Sequence, residues 1–329
     1  MGRYIVRRLA QAVLMLFVLS IALFLLLYLI PGGPQAVLFN PRLGGAARAA
    51  LAEKYGLNQP LPLQYVSYMQ HLFQGNLDSF NTGRPVLLEI GDRLPYTVQL
   101  FALSLTCAVI LALLLGVIAA IRQYSFTDYA ATIVAYFGIA MPVFFTALVL
   151  QYLFGVVLQS FFVTVTGSPW PVFGVSSPSA DTYTPLQLIA DRLQHLVLPT
   201  IALSLLFVAS WSRYLRSSML DTVKQDYVRT ARAKGLSGRV VFFRHALRNA
   251  LIPFITVVAI DFAGFAGGAV ITETVFGLPG IGKLFYDSLG ARDYPVLLTL
   301  LLFAATMVVF FNLLADLLYG VLDPRISYS

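Results

Sequence analysis

Apolar residues in this chain come in long runs separated by short polar segments. Six runs are each long enough to cross a bilayer as a helix, which takes about 20 residues. They cover 9–30, 97–121, 131–160, 196–216, 252–272 and 296–320. The pattern predicts an all-α polytopic membrane protein with six transmembrane helices. Gly138 and Pro142 fall inside the third run and predict a kink there. The segment between the first two runs carries Pro34, Pro41, Pro60, Pro62 and Pro85, with an amphipathic piece over 63–73 suited to an interface. The segment 162–195 is rich in Ser, Thr and Pro and reads as loop with short helices.

Charge orients these elements. Between Ser212 and Leu251 lie nine bases (Arg213, Arg216, Lys224, Arg229, Arg232, Lys234, Arg239, Arg244, Arg248) and two acids, Asp221 and Asp226. Nine minus two is +7, equal to the formal charge of the whole chain. Basic loops stay on the cytoplasmic side, and alternation from there puts both termini inside, with Arg3, Arg7 and Arg8 at the N-terminus. The first run, Leu9 to Ile30, has 22 residues and exceeds the apolar core of a cleaved signal, about 7–15 residues. It reads as a retained span. Only 11% of residues are charged and 58% are hydrophobic, which excludes an ordinary soluble domain. The basic residues flank hydrophobic spans, so anionic lipid explains them better than nucleic acid. The single cysteine, Cys107, sits within a span and allows no disulfide inside the chain.

Within the basic segment, Asp226 to Lys234 reads as a short helix with its acid first and its bases last, matching the helix dipole. Gly235 supplies a left-handed stop and Leu236 the apolar residue after it. Ser237 is placed to cap a second helix running through Arg244–Leu247, and Leu251-Ile252-Pro253 leads into the next span. Tyr227, Ala231 and Lys234 share one face, and the small residues Ala231, Ala233 and Gly235 would let another protein approach the backbone. A solvated loop that merely sets topology is the bland alternative.

The run from Asp226 to Ser237, followed by Arg244-His-Ala-Leu-Arg-Asn-Ala-Leu-Ile-Pro253, resembles the coupling loop of ABC importer permeases, in particular the dipeptide/oligopeptide/nickel branch. The general importer motif Glu-Ala-Ala-x-x-x-Gly aligns here as Arg229-Thr230-Ala231-x-x-x-Gly235, and that departure is itself similar to the peptide branch. Further matching stretches include Tyr55-Gly-Leu-Asn-Gln-Pro-Leu61, Arg93-Leu-Pro-Tyr-Thr97, Glu273-Thr-Val-Phe276, Pro279-Gly-Ile-Gly282, Arg292-Asp-Tyr-Pro295 and Leu322-Asp-Pro-Arg325. The resemblance implies a type I ABC importer permease fold in the plasma (inner) membrane of a prokaryote. Residues 1–30 would be the N-terminal end and first helix, and 31–94 an extracytoplasmic segment. A five-helix transmembrane domain would fill 95–322, with its coupling loop at 212–251, before a cytoplasmic tail, 323–329.

It also implies that Asp226, Tyr227, Arg229, Thr230, Ala231, Arg232, Ala233, Lys234 and Gly235 engage an ATP-hydrolysing subunit, with Arg122–Asp128 as a lesser contact. The expected assembly adds a second homologous permease, two ABC ATPase subunits or domains and an extracytoplasmic solute-binding protein. ATP and magnesium belong to those partners. This chain would be no enzyme and would bind no cofactor.

Other motifs weaken on inspection. Gly277–Lys283 has a Walker A outline, but Leu284 stands where Ser or Thr must reach magnesium. His195 has no ligand-spaced companion. Asp261 lies near the middle of the fifth span and Asp316 toward the inner end of the sixth. A carboxylate there needs a cavity or a partner, so both are candidates for the translocation path. Glu273, Pro279 and Gly280 are candidates for an outer gate or a binding-protein contact. The resulting expectation is import of di- or oligopeptides by alternating access, with nickel chelates, glutathione-like compounds and oligosaccharides as substrate alternatives. The rival class is an ion-gradient-driven secondary transporter or channel using Asp261 and Asp316. The absence of an inverted repeat and the basic loop count against it.

Overall fold

The computed structural model describes residues 2–30, 33–35 and 44–322; the expected tail 323–329 and most of 31–43 lie outside them, as do the side chains of 2–5, 47, 48, 51, 131, 134, 260, 262–269 and 314–322. Every regular element among the described residues is helical. Five helices are long and apolar enough to cross a membrane, or six when the bent pair in the third span counts as one. The chain divides into two compact units, one holding Met1–Thr97 and Pro279–Leu313, the other Val98–Leu278.

The first unit contains α1 (Gly2–Leu29), α2 (Gly45–Lys54), α3 (Leu61–Gln74) and the beginning of α4 (Val86–Ile121). The amphipathic stretch expected at 63–73 is α3, opened by Pro62 in its first turn and closed by Gly75 at φ +73°. Phe24, Leu27, Tyr55, Leu57, Tyr68, Leu77 and Leu298 form its core. Polar ties reinforce it. Tyr68 and Thr299 share a hydrogen bond of 2.8 Å, and burial pushes the Tyr68 phenol well above its usual range. Gln64 donates to the carbonyls of Leu57 and Gln59, and Lys54 pairs with Asp78, which raises the Lys54 ammonium. Asp293 accepts from Ser79 Oγ and from the backbone N–H of Phe80 (3.1 Å) and Asn81 (3.0 Å). A proline-punctuated segment is thus a packed substructure, because its turns return polar groups to one buried acid.

In the second unit the third span is broken. Helix α5 (Phe126–Ala140) and α6 (Val143–Tyr152) meet at 106° across Met141 and Pro142. Proline forces the residue before it out of helical geometry, and Met141 sits at φ −85°, ψ 122°. Gly138 does something else: a Cβ there would lie 3.2 Å from Ala209 Cβ, so its smallness lets α5 press on α8 (Pro185–Val223). After α6 come a π-helical turn (Leu153–Val157), α7 (Gln159–Thr166) and a 3₁₀ turn (Ala180–Thr182).

Helices α4 and α8 overshoot their apolar runs. α8 starts at Pro185 because Thr184 and Gln187 form a reciprocal capping box. Its inner face buries Leu198, Leu203, Trp211, Leu215 and Met219, which dominate the core of this unit. The chain continues through α9 (Asp226–Ala233), α10 (Gly238–Val240) and a π-helical stretch (Val241–Leu247) into α11 (Arg248–Phe276). Ser237 precedes α10, but its side chain makes no capping bond. Arg244–Leu247 belongs to the π-helical stretch, and Pro253 lies inside α11. The expected separate second helix is therefore the first turns of the fifth span. Back in the first unit, α12 (Ile281–Ala291) precedes α13 (Tyr294–Leu322), whose residues from Leu314 on group with the second unit.

Candidate functional site

Helix α9 hangs between α8 and α11 on short tethers. Only Lys224 and Gln225 separate it from α8, and both stay in the hydrogen-bonded turn, Lys224 N–H to Asp221 O and Gln225 N–H to Thr222 O. At the other end Gly235 takes φ +77°, with its N–H on Arg232 O and the Leu236 N–H on Ala231 O. Nothing lies within 4 Å of a Cβ added at Gly235, so backbone conformation, not crowding, demands glycine.

Val228, Ala231 and Val241 form a buried cluster that seats α9 against the start of the fifth span. This changes the reading of Ala231. It was expected to open the surface to a partner, yet it is turned inward, because a methyl is what fits between two valines. The exposed face consists of Asp226, Tyr227, Arg229, Thr230, Arg232, Ala233, Lys234 and Gly235. Asp226 lies 3.6 Å from Arg229, but with side chains 97% and 71% exposed that pair contributes little.

The loop between α4 and α5 is clamped. Arg216 on α8 donates through Nε and Nη2 to both oxygens of Asp128, at 2.8 and 2.7 Å. Asp128 also accepts from the Tyr124 N–H at 2.9 Å, holding Tyr124 at φ +61°, unusual for a non-glycine residue. Sequence reasoning missed this pair, since its members stand 88 positions apart and carry no local signal.

Of the charges expected along the path, Asp261 acquires a partner within the chain: the buried Trp211 donates its indole N–H to Asp261 Oδ2 at 2.8 Å. One half-buried carboxylate is thereby fixed between α8 and α11, the two helices that carry α9. The Asp316 side chain lies outside the described residues. Glu273 is completely buried, so of its two expected roles the binding-protein contact has no exposed surface in this chain, while burial leaves the outer-gate role as an expectation. Pro279 and Gly280 follow in the turn before α12, Gly280 buried as the residue preceding its first turn.

Near Glu273, Gln151 donates to the carbonyls of Val172 and Val275, both at 3.0 Å, and the Gly174 N–H donates to Phe276 O. The loop after α7 is thereby laced to the end of α11. His195 bonds the Asp191 carbonyl, and Asp191 in turn accepts from Ser177. Lys283 of the Walker-like stretch is paired with Asp287, four residues on, and is a helix-surface ion pair. Among the described residues no group of His, Cys, Asp and Glu is arranged to hold a metal ion.

Similarity to known proteins bears on this geometry. The oligopeptide transport system permease protein AppB of Bacillus subtilis (strain 168) is 38% identical over 330 residues, covering 100% of both chains. The di/tripeptide transport system permease protein DppB of Pseudomonas aeruginosa (strain UCBPP-PA14) is 38% identical over 334 residues, 99% of each chain. The glutathione transport system permease protein GsiC of Salmonella typhi is 33% identical over 331 residues and 100% of each. A solved structure described as the crystal structure of an amino acid ABC transporter with histidines shares the fold: TM-score 0.53 at 14% identity, over 71% of this chain and 94% of that one. Residues 1–101 match the N-terminal family of binding-protein-dependent transport system membrane components, and residues 112–328 the family described as the inner membrane component of such systems. With a half-exposed basic helix slung between two long apolar ones, the chain belongs to the binding-protein-dependent transport system inner membrane components.

Proposed function

We propose that this chain forms half of the membrane pathway of a peptide importer and receives its driving force through α9. Both termini lie in the cytoplasm, so the 212–251 segment faces inward. The exposed residues of α9 seat in a groove on an ATPase partner, and a second, homologous permease completes the pathway. Two ATPases act below the pair, and a solute-binding protein delivers substrate from outside. ATP and magnesium stay with the partners, and this chain transmits displacement. The observation that carries the reading is the seating of α9: a two-residue joint ties it to α8, and Val228 and Ala231 pack on Val241 in the π-helical stretch that runs into α11, while its charged face is left for another protein. Movement of α9 then reaches both helices that hold the Trp211–Asp261 pair. A coupling contact does work only if its binding energy differs between the partner's open and closed states.

Gly235→Arg tests this directly. The substitution imposes a strained left-handed backbone and a large side chain at the edge of the exposed face, while leaving the spans untouched. Normal membrane insertion is expected, with loss of ATPase co-purification and loss of uptake. If the variant keeps its ATPases and full uptake, α9 is not the coupling element.

Peptides are the proposed substrate class, and Asp261, oriented by Trp211, favours a positive group such as a peptide amino terminus. Uptake of cationic against anionic dipeptides by Asp261→Asn should show the preference shrinking by about tenfold, the worth of one charge-assisted bond. An unchanged ratio removes Asp261 from the path.

A further inference from the structure

Where α5 and α8 run side by side, a cavity of about 470 Å³ opens whose lining includes Arg213 and Arg216 and the hydroxyls of Tyr136, Ser210, Tyr214 and Ser217. The two arginines differ. Arg216 is neutralised by Asp128 through two hydrogen bonds. The guanidinium of Arg213 lies 4.6 Å from the centre of the Tyr136 ring, and among the described residues no carboxylate pairs with it. None of the four hydroxyls has a hydrogen-bond partner within the chain among the described residues. One uncompensated cation and four idle hydroxyls therefore converge on a single opening.

The depth of the cavity limits what can fill it. Arg213 lies three residues before the end of the 196–216 apolar run, and Arg216 of the same lining is tied to Asp128 in the first turn of α5, so the cavity sits near the end of both helices that leads to the 212–251 loop. Exposed Tyr124, Phe126 and Tyr129 mark the start of α5, the aromatic belt expected at headgroup level. Beside the cavity, Ile133 and Phe137 are both more than half exposed and present an apolar flank. A bare guanidinium next to hydrocarbon is costly unless an anion joins it. A ligand with oxygen acceptors at one end and an apolar body at the other satisfies both surfaces.

We propose that this cavity holds the phosphate of an anionic phospholipid from the leaflet on the side of the 212–251 loop. The guanidinium of Arg213 and the surrounding hydroxyls donate to the phosphate oxygens, and the acyl chains lie along Ile133 and Phe137. The inference rests on the membrane placement of α5 and α8 and not on peptide transport or on any ATPase.

Native mass spectrometry of the full chain in detergent, titrated with phosphatidylglycerol and separately with diacylglycerol of the same acyl chains, tests it. The unsubstituted chain should retain phosphatidylglycerol about tenfold better than diacylglycerol. Arg213→Gln should abolish that margin, and Arg213→Lys should keep part of it. Arg239→Gln, which removes a charge from the exposed basic segment, should change nothing. Equal retention of the two lipids, or equal loss in Arg213→Gln and Arg239→Gln, overturns the site, because the attraction would then be absent or merely diffuse. A third arm adds a dipeptide with a free carboxylate, and its amidated form, in excess. Displacement of the lipid by the free form alone would assign the cavity to a soluble carboxylate and overturn the lipid assignment. A chain that fails only in transport assays leaves this result untouched.

Discussion

Asp293 and Asp226 each stand at the edge of a helix, yet one is buried beneath three donors and the other stands in solvent. Asp293 gathers the turn at 79–81 by accepting from Ser79, Phe80 and Asn81. Asp226 opens α9 with its side chain 97% exposed and only a weak neighbour in Arg229. The first loop spends its polar groups on its own fold. The second leaves them free and relies on Val228, Ala231 and Val241 to stay in place. A loop whose charges are all internally satisfied is finished as a structure, whereas one held by three apolar contacts with its charges facing out is built to meet something else.

Three substitutions probe that contrast, in descending order of effect. Asp293→Ala removes the acceptor shared by the buried Ser79 hydroxyl and the N–H groups of Phe80 and Asn81, and should destabilise the first unit by about 2 kcal/mol. Thermal unfolding in detergent would register it, and an unshifted midpoint would mean that the turn holds without its acid. Val228→Ala removes two buried methyl groups from a small cluster and should cost about 1.5 kcal/mol locally. Hydrogen exchange should quicken across 226–241 with little change elsewhere. Uniform protection would show that α9 does not depend on this cluster. Asp226→Ala should leave unfolding unchanged while weakening ATPase retention. A drop in stability there would reverse the contrast.

Much of this was legible along the chain. The spans announce themselves by run length, and α9 by an opening acid, closing bases and Gly235. What escaped lay beyond local pattern. The early start of α8 had a readable signal in Thr184-Pro185-x-Gln187, but it sits outside the apolar run that drew attention. The break at Pro142 was expected as a kink, and its size depends on how α5 and α6 pack. The Asp128–Arg216 clamp and the Trp211–Asp261 bond join residues 88 and 50 positions apart, where only three-dimensional proximity makes a pair. Ala231 was misjudged for a related reason: a small residue permits close approach, but the sequence does not say from which side.

Helix α8 has 39 residues, about 58 Å of continuous spiral, nearly twice the thickness of the hydrocarbon layer. At its far end Asp191 grips Ser177, and at its near end a two-residue joint leads to α9. Pro199 lies partway along it, where a backbone hydrogen bond is missing. One helix thus links the joint to α9 with the loop around Ser177, and the proline between them is the place where that link bends.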